Sequence, residues 1–230
     1  MEIDGRIALV TGAGVGTGRA IAERLSAEGA AVALVDVAGG DETLGRIQDS
    51  GGRAALTQAD LTTDDGVRSA VDFALDTFGR LDILVNNAGG IPYETPGFPR
   101  VPASDWGRVL DLNLRAPLLA TQLALPALRA NGGTVVNIGS SAGVDEDPYH
   151  SPEYGAAKAG LIRATTSLAD LPGVRVNCVA PGWVATERAL AGLAPGDAPP
   201  PVSLAALCDA VVSLVRDDTA RGKVVVLRGD

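Results

Sequence analysis

Seven short runs of apolar, often β-branched residues recur along the chain, separated by longer stretches with helix-like patterns. The runs are RIALV, AVALVDV, RAALTQAD, DILVN, GTVVNI, VRVNCV and KVVVL. Most are nearly continuous in apolar residues, which is typical of strands whose two faces are both covered. Strands that alternate with helices form a parallel sheet with right-handed crossovers. The pattern therefore predicts an α/β fold, a single doubly wound domain over residues 1–230 with about seven parallel strands flanked by helices.

One segment interrupts this alternation. Residues 183–202, WVATERALAGLAPGDAPPPV, contain four prolines and two glycines. Such a composition predicts a loop. Because a long loop inside a domain is usually functional or disordered, this segment is a candidate functional loop.

The net charge of −9 over 230 residues narrows the range of partners. An acidic chain is unsuited to nucleic acid, whose phosphates require a basic face, and to an anionic membrane surface. The N-terminus, MEIDGRIALVTG, lacks the features of a secretory signal, and PLLATQLALPAL (117–128) is too short to span a bilayer. Two cysteines do not make a disulfide framework. We therefore expect a soluble, cytoplasmic protein without nucleic-acid or membrane partners.

A glycine-rich turn, TGAGVGTG (11–18), follows the first predicted strand and opens the first predicted helix. Glycines allow close approach of the backbone to a pyrophosphate, and the helix N-terminus supplies N–H donors and a partial positive charge. The spacing is not G-x-G-x-x-G, because position 17 is Thr17. The turn predicts a dinucleotide site, with a tight strand–helix connection as the alternative.

Asp36 ends the second predicted strand, eighteen residues after Gly18. A carboxylate at that place accepts hydrogen bonds from the ribose hydroxyls of an adenosine. The same carboxylate repels a 2′-phosphate by up to about 4 kcal/mol at about 4 Å and an effective dielectric constant near 20. No Arg or Lys adjoins Asp36 to reverse this, since Val37 follows it. Asp36 therefore favours NAD over NADP as the cofactor, unless it is only a helix cap or turn residue.

The stretch SPEYGAAKAG (151–160) places Tyr154 and Lys158 four positions apart. Ser151 and Pro152 are suited to the start of a helix, on which residues four apart share a face. A phenol has a pKa near 10, and a nearby ammonium favours the phenolate. The pair therefore predicts an acid–base group, although a lone YxxxK spacing is more often an ordinary amphipathic helix.

Several motifs now occur in one order along nearly the whole chain. TGAGVGTG (11–18) is followed by VNNAG (85–89), LDLNLRAPL (110–118), NIGSSAG (137–143), YGAAK (154–158) and VRVNCVAPGWVAT (174–186). TGAGVGTG resembles the TGxxxGxG turn of the short-chain dehydrogenase/reductase (SDR) family, VNNAG the family's motif after the fourth strand, and LDLNLRAPL the helix that contains the family's asparagine. NIGSSAG resembles the family's serine strand, YGAAK its catalytic helix and VRVNCVAPGWVAT its nicotinamide segment. The resemblance implies a Rossmann-type fold and hydride transfer between NAD(H) and a secondary alcohol or ketone.

The resemblance also implies roles for four side chains. Tyr154 would exchange a proton with the substrate oxygen, and Lys158 would lower its pKa and bind the nicotinamide ribose. Ser140 would hydrogen-bond the substrate oxygen, and Asn113 would hold a water that relays protons. The usual spacing from the tyrosine favours Ser141 over Ser140, whereas the strand alignment favours Ser140, the residue that we prefer.

The cofactor-binding residues implied by the resemblance follow the length of the dinucleotide. The pyrophosphate end comes from the glycine-rich turn, the adenine end from the third strand, and the nicotinamide end from the segment after the sixth strand. The predicted set is Gly12, Gly16, Thr17, Gly18, Asp36, Asp60, Leu61, Asn87, Ala88, Gly89, Tyr154, Lys158, Pro181, Gly182, Val184 and Thr186.

Beyond these residues, the resemblance implies a substrate lid over about 183–202 and a homodimer or homotetramer. The lid is short for the family, which leaves a catalytically inactive dinucleotide-binding protein as one alternative. An SDR-like epimerase or dehydratase is a second alternative, for which the chain has no separate substrate domain.

Loops near the predicted pocket contain further candidate residues. Tyr93 and Phe98 would lie near the pocket mouth, where they pack a substrate or cap the domain. Asp145, Glu146 and Asp147 lie between the serine and the tyrosine, where a solvated acidic loop is preferred to a site for a cationic or polyhydroxyl substrate. His150, close in sequence to Tyr154, is a candidate titrating group, although a plain loop histidine is the preferred interpretation. No His/Cys/Asp cluster has the spacing of metal ligands, so no metal is predicted.

Overall fold

The computed structural model describes residues 1–91, 98–145, 151–191 and 200–229. Their strands form a seven-stranded sheet of order β3-β2-β1-β4-β5-β6-β7, in which all neighbours are parallel. The strands are β1 (Ile7–Thr11), β2 (Ala31–Asp36), β3 (Ala54–Gln58), β4 (Ile83–Asn86), β5 (Thr134–Ile138), β6 (Arg175–Pro181) and β7 (Val224–Leu227). The predicted doubly wound α/β fold is confirmed, and each of the seven apolar runs forms a strand.

Helices cover both faces of this sheet. They are α1 (Gly16–Ala27), α2 (Asp41–Asp49), α3 (Asp64–Phe78), α4 (Ala103–Leu110), α5 (Ala116–Ala130), α6 (Pro152–Ser167), α7 (Glu187–Ala191) and α8 (Leu204–Arg216). Within the described ranges, none of these helices has the length and apolar character needed to cross a membrane.

The apolar runs are continuous because each strand supplies two hydrophobic cores. In β1, Ala8 and Val10 belong to the core beneath α1 and α8, whereas Ile7 and Leu9 belong to the core beneath α3 and α5. Alternate side chains of a strand point to opposite faces, so a covered sheet needs apolar residues at consecutive positions. Both cores lie away from the carboxyl edge of the sheet, where the strand ends remain available to a ligand.

The connection between α4 and α5 is a five-residue π-helical segment, Asp111–Arg115. The side chain of Asn113 lies in this segment and donates to the Val109 carbonyl at 2.9 Å. Such π-turns in helices are rare and occur often at functional sites. Pro117 lies where the π-helical segment continues into α5, and Pro126 lies inside the helix.

The segment 183–202 is not entirely a loop, as its composition predicts. Residues Glu187–Ala191 form the short helix α7, and the Thr186 hydroxyl caps it by accepting from the Ala189 amide at 3.2 Å. Val184 and Val202 form a parallel bridge, and the Val202 amide donates to the Trp183 carbonyl at 2.7 Å. The cap explains the helix, because a threonine oxygen satisfies an otherwise unpaired N–H. Residues 192–199 lie outside the described part of the chain.

Candidate active site

A groove of about 1030 Å³ runs along the carboxyl edge of the sheet. It crosses the point between β1 and β4 where the strand order reverses, which is the place where open α/β sheets bind ligands. All sixteen predicted cofactor-binding residues line it, as does Ser140. The fold thus brings together residues that are spread from position 12 to position 186.

The glycine-rich turn forms one wall of this groove and has no space for a side chain at Gly12 or Gly18. Gly12 has a φ of 64°, and a Cβ there would lie 2.9 Å from the Ala88 Cα. A Cβ on Gly18 would lie only 1.9 Å from the Gly12 carbonyl oxygen. Asn87 supports the turn, because its side-chain amide donates to the carbonyls of Thr11 and Gly12 at 2.9 and 3.1 Å.

The N-terminus of α1 opens into the groove without a capping side chain. Val15 is the N-cap residue, it makes no side-chain hydrogen bond to the helix, and the first turn contains no acidic residue. The unpaired N–H groups of a helix N-terminus and its partial positive charge favour a phosphate group. Together with the closely packed glycines of the turn, this arrangement fits the pyrophosphate of a dinucleotide.

Asp36 lies at the end of β2 and is half-buried in the groove wall. Its Oδ2 accepts from the Gly14 amide at 2.9 Å, and its Oδ1 accepts from the Ala38 amide at 3.0 Å. Arg19 is a basic residue close to the turn, but it donates to the Gly14 carbonyl and pairs with Glu42 at 3.1 Å. The carboxylate of Asp36 therefore remains the charged group at this position of the groove.

Asp60 and Leu61 follow β3 at the same end of the groove. The Oδ1 atom of Asp60 accepts from the hydroxyl and the amide of Thr62 at 2.7 and 2.9 Å. These hydrogen bonds hold the pKa of the Asp60 carboxyl below its usual value. Asp60 is thus an anion held in a fixed orientation, beside the buried and apolar side chain of Leu61.

Lys158 is almost completely buried, with 3% of its surface exposed. Its ammonium donates to the Ile138 carbonyl at 2.9 Å and lies 5.6 Å from the centroid of the Tyr154 ring. Burial lowers the pKa of the Lys158 ammonium from 10.5 to about 8. At pH 7 it is therefore mostly protonated, as it must be to favour a neighbouring phenolate.

Asn113 is fully buried behind the groove wall and is not among the lining residues. Its Oδ1 accepts from the Gly90 amide at 2.9 Å, and its Nδ2 donates to the Gly90 carbonyl at 2.7 Å. A Cβ on Gly89 would meet Asn113 Oδ1 at 2.8 Å and Lys158 Nζ at 3.0 Å. Asn113 and Lys158 therefore converge on one point behind Gly89.

The two adjacent serines have different surroundings. Ser140 lines the same groove as Tyr154, and its Oγ accepts from the Ala142 amide at 3.2 Å. Ser141 begins a short 3₁₀ turn and hydrogen-bonds Asp145, which forms an ion pair of 2.8 Å with Arg228. The pKa of the Asp145 carboxyl is lowered chiefly by that arginine.

The groove also contains residues that the motifs do not predict. Several lie inside a quoted motif or within two positions of a predicted residue: Val15, Val37, Ala38, Ala59, Thr62, Gly90, Ile91, Ile138, Gly139 and Glu187. Arg108 and Leu112 also line the groove, and no local sequence signal marks Arg108 as a groove residue.

Four of the loop candidates, Tyr93, Glu146, Asp147 and His150, lie outside the described residues. Phe98 is exposed and packs against Trp106, with 6.0 Å between the ring centroids, and it does not line the groove. Among the described residues there is no group of three or more His, Cys, Asp or Glu residues that could hold a metal ion.

Comparisons with known proteins agree with this geometry. The family model described as short chain dehydrogenase matches residues 6–191. Glucose 1-dehydrogenase 2 of Bacillus subtilis is 36% identical over 199 residues, which cover 81% of this chain and 74% of that protein. Cis-4-hydroxycyclohexanecarboxylate dehydrogenase of Sinomonas cyclohexanicum is 40% identical over 193 residues, which cover 82% of this chain and 76% of that protein.

Among solved structures, a 7α-hydroxysteroid dehydrogenase complexed with NADH and 7-oxo glycochenodeoxycholic acid superposes with a TM-score of 0.91. It is 28% identical, and the match covers 98% of this chain and 94% of that one. These findings support the predicted oxidoreductase and neither of the two alternatives. The chain belongs to the short-chain dehydrogenase family, and it is an oxidoreductase that acts on alcohol and carbonyl groups.

Proposed function

We propose that the cofactor of this enzyme is NAD(H) rather than NADP(H). The observation that carries this proposal is the carboxylate of Asp36, which lines the groove at the end of β2. It can accept hydrogen bonds from the ribose hydroxyls, whereas it opposes the charge of a 2′-phosphate. Its neighbours along the groove, Val15 and Val37, offer no positive charge to offset that repulsion.

In this proposal the groove residues hold the dinucleotide along its whole length. The turn and the N-terminus of α1 would hold the pyrophosphate, Asp60 and Leu61 would flank the adenine, and Pro181, Gly182, Val184 and Thr186 would contact the nicotinamide end. Asn87, Ala88 and Gly89 would line the floor between these ends. When bound, the nicotinamide supplies or accepts the hydride, while the protein orients the reacting groups.

Tyr154 is the proposed acid–base group for the substrate oxygen. The protonated Lys158 lies close to its ring and favours the ionised phenol. Removing the proton from an alcohol leaves negative charge on its oxygen, and the Ser140 hydroxyl is placed in the groove to hydrogen-bond that oxygen. Asn113 is proposed to hold a proton-relaying water near Lys158, and their convergence behind Gly89 supports this role.

The segment 183–202 is the proposed substrate lid of a single domain that spans residues 1–230. Its described part already touches the cofactor end of the groove, because Thr186 Cγ2 would lie 3.1 Å from a Cβ on Gly16. Glu187 extends this contact through an ion pair of 3.7 Å with Arg19. The lid would therefore cover the pyrophosphate and substrate ends together.

We further propose a homodimer or homotetramer, formed through the helices around 104–130 and 152–170. Trp106 and Leu110 support this proposal, because these large apolar side chains on α4 are 38% and 39% exposed. Light scattering at micromolar concentration tests it, and a monomeric mass would contradict it.

A cytoplasmic location is also part of the proposal. The two cysteines of the chain, Cys178 and Cys208, are buried and unpaired. Free thiols of this kind are expected in a reducing compartment. Fractionation of the cells that produce the protein tests this location, and recovery outside the cytoplasm would contradict it.

A thermal-shift titration with NAD, NADH, NADP and NADPH is the direct test of the cofactor. Ligands that bind the folded state raise its melting temperature. We expect shifts with NAD and NADH only, and equal shifts with all four would contradict the proposed role of Asp36.

A panel of secondary alcohols, including a hydroxycyclohexanecarboxylate and a 7α-hydroxysteroid, then identifies a substrate for comparison of the wild type with Tyr154→Phe. Unchanged turnover by that variant would exclude the proposed acid–base role.

A further inference from the structure

Arg108 lies on α4 and is exposed along the wall of the groove, next to the end formed by Asp60 and Thr62. Within the described residues its guanidinium has no hydrogen bond or ion pair. Arg108 and Lys158 are the two cationic side chains among the lining residues of the described chain. The ammonium of Lys158 is buried and bound to the Ile138 carbonyl, so Arg108 is the cation that remains available to a ligand.

The groove surface beside Arg108 is formed by apolar side chains, although the other exposed charged side chains of the groove are acidic. Leu61 is 8% exposed, and Ala59, Ala88 and Leu112 are partly buried and pack against the same core. Leu112 follows Arg108 by four residues and lines the same groove. An apolar surface with an exposed guanidinium in the same wall of the groove suits a flat, uncharged aromatic ring better than a phosphate.

Asp60 is the polar residue next to this apolar surface. The positive charge of Arg108 contributes to the lowered pKa of the Asp60 carboxyl, although the hydrogen bonds from Thr62 have the larger effect. The guanidinium is therefore near enough to Asp60 to act on it electrostatically while forming no ion pair with it. A ring that hydrogen-bonds Asp60 at its edge would lie within reach of the guanidinium plane.

We propose that Arg108 is an adenine-binding residue whose planar guanidinium stacks on the base, opposite the apolar floor formed by Leu61 and Leu112. The proposal rests on the proposed function, because it requires a dinucleotide in the groove. A guanidinium stacks on an aromatic face through its plane and its charge together, which an ammonium cannot reproduce. Arg108 would thus add affinity for the adenosine half without selecting for or against a 2′-phosphate.

Calorimetric titration with ADP-ribose, NAD and NADP tests this role without depending on turnover. ADP-ribose retains the adenine and the pyrophosphate and lacks the nicotinamide. We expect Arg108→Ala to weaken the binding of ADP-ribose and NAD by about three- to tenfold. Arg108→Lys should bind these ligands nearly as weakly as Arg108→Ala. Arg108→Tyr should restore most of the affinity, since tyrosine supplies a flat ring without the charge.

Arg68→Ala is the matched control. Arg68 is an exposed arginine on α3 that does not line the groove, so this variant loses the same charge at another place. If Arg108→Lys kept full affinity, or if Arg68→Ala lost as much affinity as Arg108→Ala, the effect would come from charge alone. Either result would overturn the stacking role. A loss confined to NADP would identify Arg108 as a 2′-phosphate ligand and overturn it too. Unchanged ADP-ribose binding in Arg108→Ala would refute only this inference, whereas a wild-type protein that binds neither NAD nor ADP-ribose would refute the proposed function itself.

Discussion

The backbone amide of Gly14 donates a hydrogen bond of 2.9 Å to Oδ2 of Asp36. The glycine-rich turn after β1 is thereby joined to the end of β2, and the carboxylate is held in one orientation. A Cβ on Gly14 would lie 2.3 Å from the Gly39 carbonyl oxygen, so the chain could not pass there with a side chain. The residues proposed to bind the pyrophosphate and to select the ribose thus meet at one corner of the groove.

The first prediction concerns the choice between NAD and NADP. Asp36→Ala removes both the ribose acceptor and the charge that opposes a 2′-phosphate. We expect the affinity for NAD to fall and the NAD-to-NADP preference to drop by at least about tenfold. Dissociation constants for both cofactors measure the change, with Asp41→Ala on α2 as a carboxylate control outside the groove. An unchanged preference in Asp36→Ala would show that another group selects the cofactor.

The second prediction concerns the packing of the turn. Gly18→Ala places a Cβ 1.9 Å from the Gly12 carbonyl oxygen, so the turn must deform. We expect a loss of stability of about 1–3 kcal/mol in urea unfolding, together with the loss of cofactor-induced thermal shift. Gly45→Ala on α2 is the control, because nothing lies within 4 Å of its Cβ and alanine favours the helix by about 0.5–1 kcal/mol. Equal stability of the two variants would contradict the close approach.

The third prediction concerns the pH dependence of stability that Lys158 causes. Its folded-state pKa is about 8, against 10.5 for the ordinary side chain. Between these values the unfolded chain binds more protons than the folded protein, so this residue makes stability rise with pH. Below pH 8 the lysine is charged in both states, and the cost of burying it is present in full.

Comparison with Lys158→Met isolates this contribution. Burial also raises the thiol pKa values of Cys178 and Cys208 to about 11, which lowers stability at alkaline pH in both proteins. In the difference between the two unfolding free energies the Cys208 thiol cancels. The Cys178 thiol interacts with the charge of Lys158, but with a folded-state pKa of about 11 it stays largely neutral up to pH 10 and adds little to the difference. The free energy of unfolding of the wild type should therefore rise by about 2–3 kcal/mol relative to that of Lys158→Met from pH 8 to pH 10. A difference that stays flat over this range would mean that Lys158 is not desolvated in the folded protein.

The fourth prediction separates the two adjacent serines. Ser140 lines the groove, and we expect Ser140→Ala to lower kcat by about 100-fold or more while leaving cofactor affinity unchanged. Ser141 hydrogen-bonds Asp145 instead, so Ser141→Ala should change kcat by less than about fivefold. Steady-state kinetics with the best alcohol substrate decide between them, and the reverse order of effects would make Ser141 the catalytic serine.

Most of the fold follows from patterns that are local in the chain. Each of the seven apolar runs became a strand because a covered strand requires apolar residues on both faces, and this requirement is visible within five or six positions. The spacing of Tyr154 and Lys158 likewise has a direct meaning on α6, where four residues make about one turn. The composition of 183–202 was less informative, because its prolines and glycines concealed the threonine cap that begins α7.

The sequence by itself determined the doubly wound sheet, the family and the residues of its recurring motifs, because these depend on short-range periodicity and fixed spacing. Only the tertiary structure placed Ser140 in the groove and tied Ser141 to Asp145 and, through it, to Arg228 near the end of the chain. It alone brought Arg108 beside Asp60. These contacts join elements far apart in the chain, and their distances depend on how helices pack across the sheet, which no local pattern records.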